Sequence, residues 1–245
     1  MPLRAFQNTL ISGVLNLLAC SIVADNAFKG CVSLETINMP LIAKESQLGD
    51  YVFAGCTSLK SVSLSTAFSL LGNGVFQNCT SLETIGDDAK LTKVGAYAFQ
   101  NCVSLKQLDM STAWVSIGDY AFDGCSNLSQ VTGSMESNYP IGYSAFRNCQ
   151  KLQSITWGYI YDGDDLEYVD YVFQSCYSLS KFIIPAGAGL FTISYTWFYS
   201  TPMTLSSYLG YFGSIYVPNT MLASFKNLKG WSYYSARMVG YTPSE

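Results

Sequence analysis

The chain contains no histidine among its 245 residues. The commonest general base near neutral pH, and the commonest transition-metal ligand, are therefore missing. Ser–His–Asp triads, Cys–His dyads and His-bearing zinc sites cannot be assembled within it. Charge is scarce as well: Asp, Glu, Lys and Arg make up 12% of residues, with 13 Lys plus Arg and a net charge of −4. Lys and Arg form no cluster, so the basic groove of a nucleic-acid binder is not expected. No apolar run reaches the roughly 20 residues of a transmembrane helix, so no membrane span is expected. The eight cysteines include no Cys-x-x-Cys pair of the zinc type. No metal and no cofactor are expected.

What the chain does have is repetition. Phe28-Lys-Gly-Cys31-Val-Ser-Leu34 returns as Phe53/Cys56/Leu59, Phe76/Cys79/Leu82, Phe99/Cys102/Leu105, Phe122/Cys125/Leu128, Phe146/Cys149/Leu152 and Phe173/Cys176/Leu179. The Phe-to-Phe steps are 25, 23, 23, 23, 24 and 27 residues. A fixed period in the twenties marks a stacked solenoid, whose units share one continuous core. One position before each Phe stands Ala or Val. Five before stands an apolar column, Val23, Leu48, Leu71, Val94, Ile117 and Ile141. Four before stands mostly Gly (Gly49, Gly72, Gly95, Gly118, Gly142), read here as a tight corner using positive φ. After each Cys, Leu-x-x-Ile-x-Leu predicts a short strand with two inward residues, as in Leu34/Ile37/Met39 and Leu152/Ile155/Trp157. One such strand per coil gives a parallel sheet.

These residues resemble the BspA-type, or Treponema-type, leucine-rich repeat. The clearest copy is Leu82-Glu-Thr-Ile85, then Leu91-Thr-Lys-Val94-Gly95-Ala-Tyr-Ala98-Phe99-Gln-Asn-Cys102. The resemblance covers roughly residues 20 to 200. It implies a leucine-rich-repeat solenoid: a right-handed β-rich superhelix with one parallel sheet, about eight to nine coils and a small helical C-terminal cap. The tail from Ile215 through Pro218, Phe225 and Trp231 to Tyr234 matches that cap. The expected division is 1–27 as a worn repeat or cap, 28–213 as repeats and 214–245 as the closing cap. Residues 1–27 carry two readings. Leu17-Leu18-Ala19-Cys20 resembles a lipoprotein cleavage site, whereas Cys20 and Ala5-Phe6-Gln-Asn agree with the repeat phase, which favours repeat or cap.

Cys31, Cys56, Cys79, Cys102, Cys125, Cys149 and Cys176 share one phase and are expected to stack as a structural ladder of buried thiols. An oxidised neighbouring pair is the alternative. Two surfaces are candidates for binding. The outward residues of the strands are Thr36, Asn38, Ser61, Ser63, Thr84, Gln107, Asp109, Gln130, Thr132, Ser154 and Thr156, a neutral hydrogen-bonding ladder that also suits a plain solvated face. Fifteen of the 18 tyrosines lie at or after Tyr139. Of these, Tyr143, Tyr159, Tyr161, Tyr195 and Tyr199 fall on outward phases, suited either to recognition or to closing the solenoid end. Asp162, Asp164 and Asp165 sit in a turn insertion without the order of a calcium loop. The acids of 162–167 lie in one short turn, not across a cleft as a glycosidase pair must.

The resemblance implies a non-enzymatic binding scaffold, adhesin-like and extracellular or at the cell surface, with a protein or glycan ligand. The alternative is a structural module of a larger assembly, such as a virion, an envelope or a multi-domain surface protein, with no exchangeable ligand.

Overall fold

Two rows of parallel strands run along the chain, one from each half of the repeat. The computed structural model describes residues 2–17, 22–39, 46–64, 68–86, 91–110, 116–132, 135–137, 141–159, 165–166, 169–204 and 213–243. The first row comprises Gly13–Asn16, Leu34–Met39, Ser61–Leu64 and Thr84–Ile85. It resumes with Gln107–Asp109, Gln130–Thr132, Ser154–Tyr159, Lys181–Ile183, Ser214–Pro218 and Met238–Tyr241. These are the Leu-x-x-Ile-x-Leu strands, and alternation buries Leu34, Ile37 and Met39 while Glu35 faces out.

The apolar column five before Phe forms the second row. Ile22–Val23, Ser46–Leu48, Phe68–Leu71, Lys93–Val94 and Ser116–Ile117 pair in parallel, as do Asp165–Leu166 and Thr192–Ile193. The expected parallel sheet is thus present, but it is joined by a second row and has no ladder between Thr84–Ile85 and Gln107–Asp109.

Between the rows lies the spine of the fold. Phe6, Phe28, Phe53, Phe76, Phe99, Phe122, Phe146, Phe173 and Phe198 stack with ring centroids 5.0–5.7 Å apart and planes within 18°. Rings offset along a coil spacing near 4.8 Å meet in the favoured displaced-stack geometry. The Phe segment turns through successive tight bonds, such as Lys29 N–H to Asn26 O and Cys31 N–H to Phe28 O. It also bonds to the next coil three times, through Asn26 to Asp50, Phe28 to Val52 and Gly30 to Ala54.

The turn chemistry differs from the sequence expectation. Left-handed φ falls two residues before and two after Phe, not at the corner glycines. The first column holds Asn26, Tyr51, Gly74, Tyr97, Tyr120, Ser144 and Tyr171; the second holds Gly30, Gly55, Asn78, Asn101, Gly124, Asn148 and Ser175. The corner glycines answer to space instead. A Cβ on Gly95 would lie 2.6 Å from the Gly72 carbonyl carbon, and one on Gly142 2.3 Å from that of Gly118. Successive coils approach so closely there that no side chain fits.

Each ladder thiol is buried and reduced. Cys79 Sγ donates to Phe53 O at 3.1 Å, and Cys102, Cys125, Cys149 and Cys176 repeat the bond to Phe76, Phe99, Phe122 and Phe146. Burial pushes five of the thiols up: Cys56 to about 12, with Cys79, Cys102, Cys125 and Cys149 raised as well. Thr9 and Thr201 occupy the same phase at the two ends and donate to Phe6 O and Phe198 O.

The core ends against a cap made of strand Ser214–Pro218, helix Leu222–Asn227, a 3-10 turn Trp231–Arg237 and strand Met238–Tyr241. Trp231 is wholly buried against Phe182, Phe191, Trp197, Phe198 and Phe225, and its Nε1 donates to Phe191 O at 2.8 Å. The small helical cap is therefore the expected one.

Candidate functional site

Parallel pairing brings the outward strand residues into two straight ladders. The first runs Thr36, Ser61, Thr84 and, beyond the sheet break, Gln107, Gln130, Ser154, Lys181, Ser214. The second runs Asn16, Asn38, Ser63, then Asp109, Thr132, and separately Thr156, Ile183, Tyr216. Neighbouring rungs bond to one another: Asn38 Nδ2 donates to Asn16 Oδ1 at 2.8 Å, and Thr132 Oγ1 to Asp109 Oδ1 at 3.1 Å. Ser63, Thr84, Gln107, Asp109, Gln130 and Thr132 are exposed; Thr36, Asn38, Ser61, Ser154 and Thr156 are half-buried. Lys181, whose ammonium lies 5.1 Å from the centre of the Tyr216 ring, was missed in the sequence. It stands two after Leu179, the same phase as Thr36 after Leu34, so the repeat itself held the signal.

Where the first row breaks, the face opens into a cleft of about 230 Å³. It is lined by Thr84, Ile85, Gly86, Gln107, Asp109 and Thr132, with Leu91 and Leu108 at its floor. Within it Thr132 donates to the Asp109 carboxylate. Beside the face, Lys60–Glu35 at 2.8 Å and Lys106–Glu83 at 2.5 Å form exposed ion pairs. Such pairs contribute little to stability.

The tyrosines occupy a different flank. Tyr97 and Tyr120 stack at 5.3 Å, Tyr143 follows at 5.3 Å from Tyr120, and Tyr171 at 5.9 Å from Tyr143. Tyr195 and Tyr199 are exposed, and Tyr195 stacks on Tyr233 at 5.7 Å. Of Tyr159 only the backbone is described, in strand Ser154–Tyr159, and Tyr161, Asp162 and Asp164 lie outside the described residues, as does Cys20. Tyr143, Tyr195 and Tyr199 therefore do not join the strand-face ladders.

Under this flank runs a half-buried polar chain that sequence reasoning also missed. Gln77 bonds Gln100 at 2.8 Å, Gln100 bonds Asp123, and Arg147 grips Asp123 with Nε at 2.9 Å and a second nitrogen at 2.8 Å. Asp123 is buried, and its bonds raise the Arg147 pKa. All four stand one after Phe, so the column was visible without its partners. A bidentate pair satisfied on both sides reads as structural.

Stacked coils, the Phe spine and the strand ladders define a leucine-rich-repeat solenoid. The family model for the BspA type leucine-rich repeat region (6 copies) matches residues 21–153 and 92–216, and the chain belongs to that family. Comparison with the curated proteins found no match. Among solved structures, a leucine-rich repeat protein from Bacteroides ovatus ATCC 8483 is 19% identical, with a TM-score of 0.54. The alignment covers 90% of this chain and 57% of that one. A T. pallidum leucine-rich repeat protein is 24% identical over 58% of this chain and 78% of that one, with a TM-score of 0.45. Among the described residues, no helix is long and apolar enough to cross a membrane, and no group of His, Cys, Asp or Glu is arranged to hold a metal ion.

Proposed function

We propose that the chain is a non-enzymatic recognition scaffold of adhesin type, displayed outside the cell, that contacts a protein or a glycan through its strand face. One observation carries this reading: two in-register ladders of mostly uncharged, exposed or half-buried hydrogen-bonding side chains, held at fixed spacing by parallel strands. Preorganised groups lose little entropy when a partner docks, so modest contacts suffice. Family membership supports a scaffold whose surface varies while its core repeats. The test is a screen of the folded chain over immobilised matrix proteins and a glycan array. Saturable binding to one of them is expected; a folded chain that saturates on none overturns the reading.

A second reading, a structural module of a larger assembly, draws on the opposite end from the cap. Leu3, Leu10, Val14 and Ile22 are exposed there, and Phe6 is 36% exposed at the end of the Phe stack. An apolar end of this kind suits permanent packing against a neighbour. Self-association abolished by Leu10→Asp, in a chain that captures no ligand, would favour it.

A further inference from the structure

A hollow of about 430 Å³ lies where the tyrosine flank meets the C-terminal cap. It is lined by Asp170, Tyr171, Ser194, Tyr195, Thr196 and Tyr233, with Lys229 at its edge. Its size falls in the range of small-ligand sites. Three features set it apart from ordinary surface. Tyr195 and Tyr233 are 62% and 76% exposed, yet their rings stand 5.7 Å apart and within 30° of parallel. Two aromatic rings left to water in a fixed pair are a costly use of apolar area unless something covers them. Next, Asp170 is oriented: Ser194 Oγ and Thr196 Oγ1, both on buried residues, donate to its Oδ1 at 2.5 and 2.7 Å. Asp170 is thereby fixed in orientation at the wall of the hollow. Lastly, the backbone beneath is braced, with Tyr234 Oη donating to Tyr195 O at 2.5 Å.

We infer that this hollow is a binding subsite for a neutral sugar ring. A pyranose has one face of C–H groups, which packs on an aromatic ring, and a rim of hydroxyls, which donate to a fixed carboxylate. Both partners are supplied here, side by side. Charge argues the same way: Asp170 and Lys229 in one hollow balance, which suits an uncharged ligand better than an ammonium or a phosphate. The inference rests on the recognition-scaffold reading and assigns one ligand class to a site away from the strand face.

The test is saturation-transfer NMR on the full chain with glucose, galactose, mannose, fucose and N-acetylglucosamine, each free in solution. At least one is expected to receive saturation on its ring C–H protons. Tyr233→Ser changes an exposed side chain and leaves the fold intact. It should weaken that signal's apparent affinity roughly tenfold or more through loss of the stacking contact. Asp170→Asn should weaken it further. Saturation that persists unchanged in Tyr233→Ser, no saturation of any of the five sugars, or a response only to a polyproline peptide would each overturn the inference. Binding to immobilised matrix proteins, measured on the same Tyr233→Ser variant, separates the two claims. Its survival while the sugars stay silent removes the subsite alone.

Discussion

At the residue scale, the Phe and Cys columns each do one job many times. Phe99 is wholly buried and stacks on Phe76 and Phe122 at 5.4 and 5.2 Å. Phe99→Ala should cost about 3–5 kcal/mol in chemical denaturation, the range for truncating a buried Phe; a loss below about 1 kcal/mol would contradict the spine. Each thiol satisfies a lone pair on a Phe carbonyl in the coil before it, which a serine hydroxyl can also do. Cys102→Ser should therefore cost less than Cys102→Ala, read in the same experiment. The thiols also link stability to pH. Cys56 moves from 9.0 unfolded to about 12 folded because its thiolate would be buried. A raised pKa means the folded state holds the proton longer. The contribution is complete below pH 9 and is lost as pH climbs from there toward 12. Melting temperature should be flat across neutral pH and fall above pH 9. A Cys56→Ser/Cys79→Ser variant should fall less steeply.

At the element scale, the corners carry the strictest geometry. Gly95→Ala places a Cβ against the Gly72 backbone and should cost about 2 kcal/mol or more, since neither coil can move without its neighbours. Asn101→Gly, at a left-handed φ of 60°, should change stability by no more than a few tenths. That contrast is where the sequence was legible only in part. Period, core columns and thiol phase could be read from spacing, because each follows from burial repeated along one axis, while the cap was legible through the family resemblance. Glycine could be recognised as special at the corner, but not why: close approach of two coils is a property of the stack. The second strand row was hidden for a related reason. Two-residue strands such as Lys93–Val94 exist only because the neighbouring coils lie beside them. The Gln77–Gln100–Asp123–Arg147 chain likewise needs stacking to bring side chains from four coils together. The same holds for the site. The strand-face ladders could be read from the Leu phase, while the hollow beside Asp170 depends on Tyr233, contributed by the cap.

At the scale of the whole molecule, a stack of coils couples nearest neighbours, so its ends decide how it frays. The C-terminal end is closed by Trp231, whose ring meets five others. Trp231→Ala should open it, at about 3–5 kcal/mol, with hydrogen exchange rising first in residues 182–198 rather than near Phe53. The long strand face is the other whole-molecule property, since no single coil offers more than two or three of its groups. A partner that reads it must touch several coils at once. The direct measurement is the affinity of the folded chain for whichever matrix protein it captures, compared between wild type, Gln107→Arg/Thr132→Arg on the strand face, and Tyr195→Ser/Tyr199→Ser on the aromatic flank. The expected result is loss of roughly tenfold or more in the strand-face variant with a smaller change in the flank variant. Binding left intact by Gln107→Arg/Thr132→Arg would contradict the account.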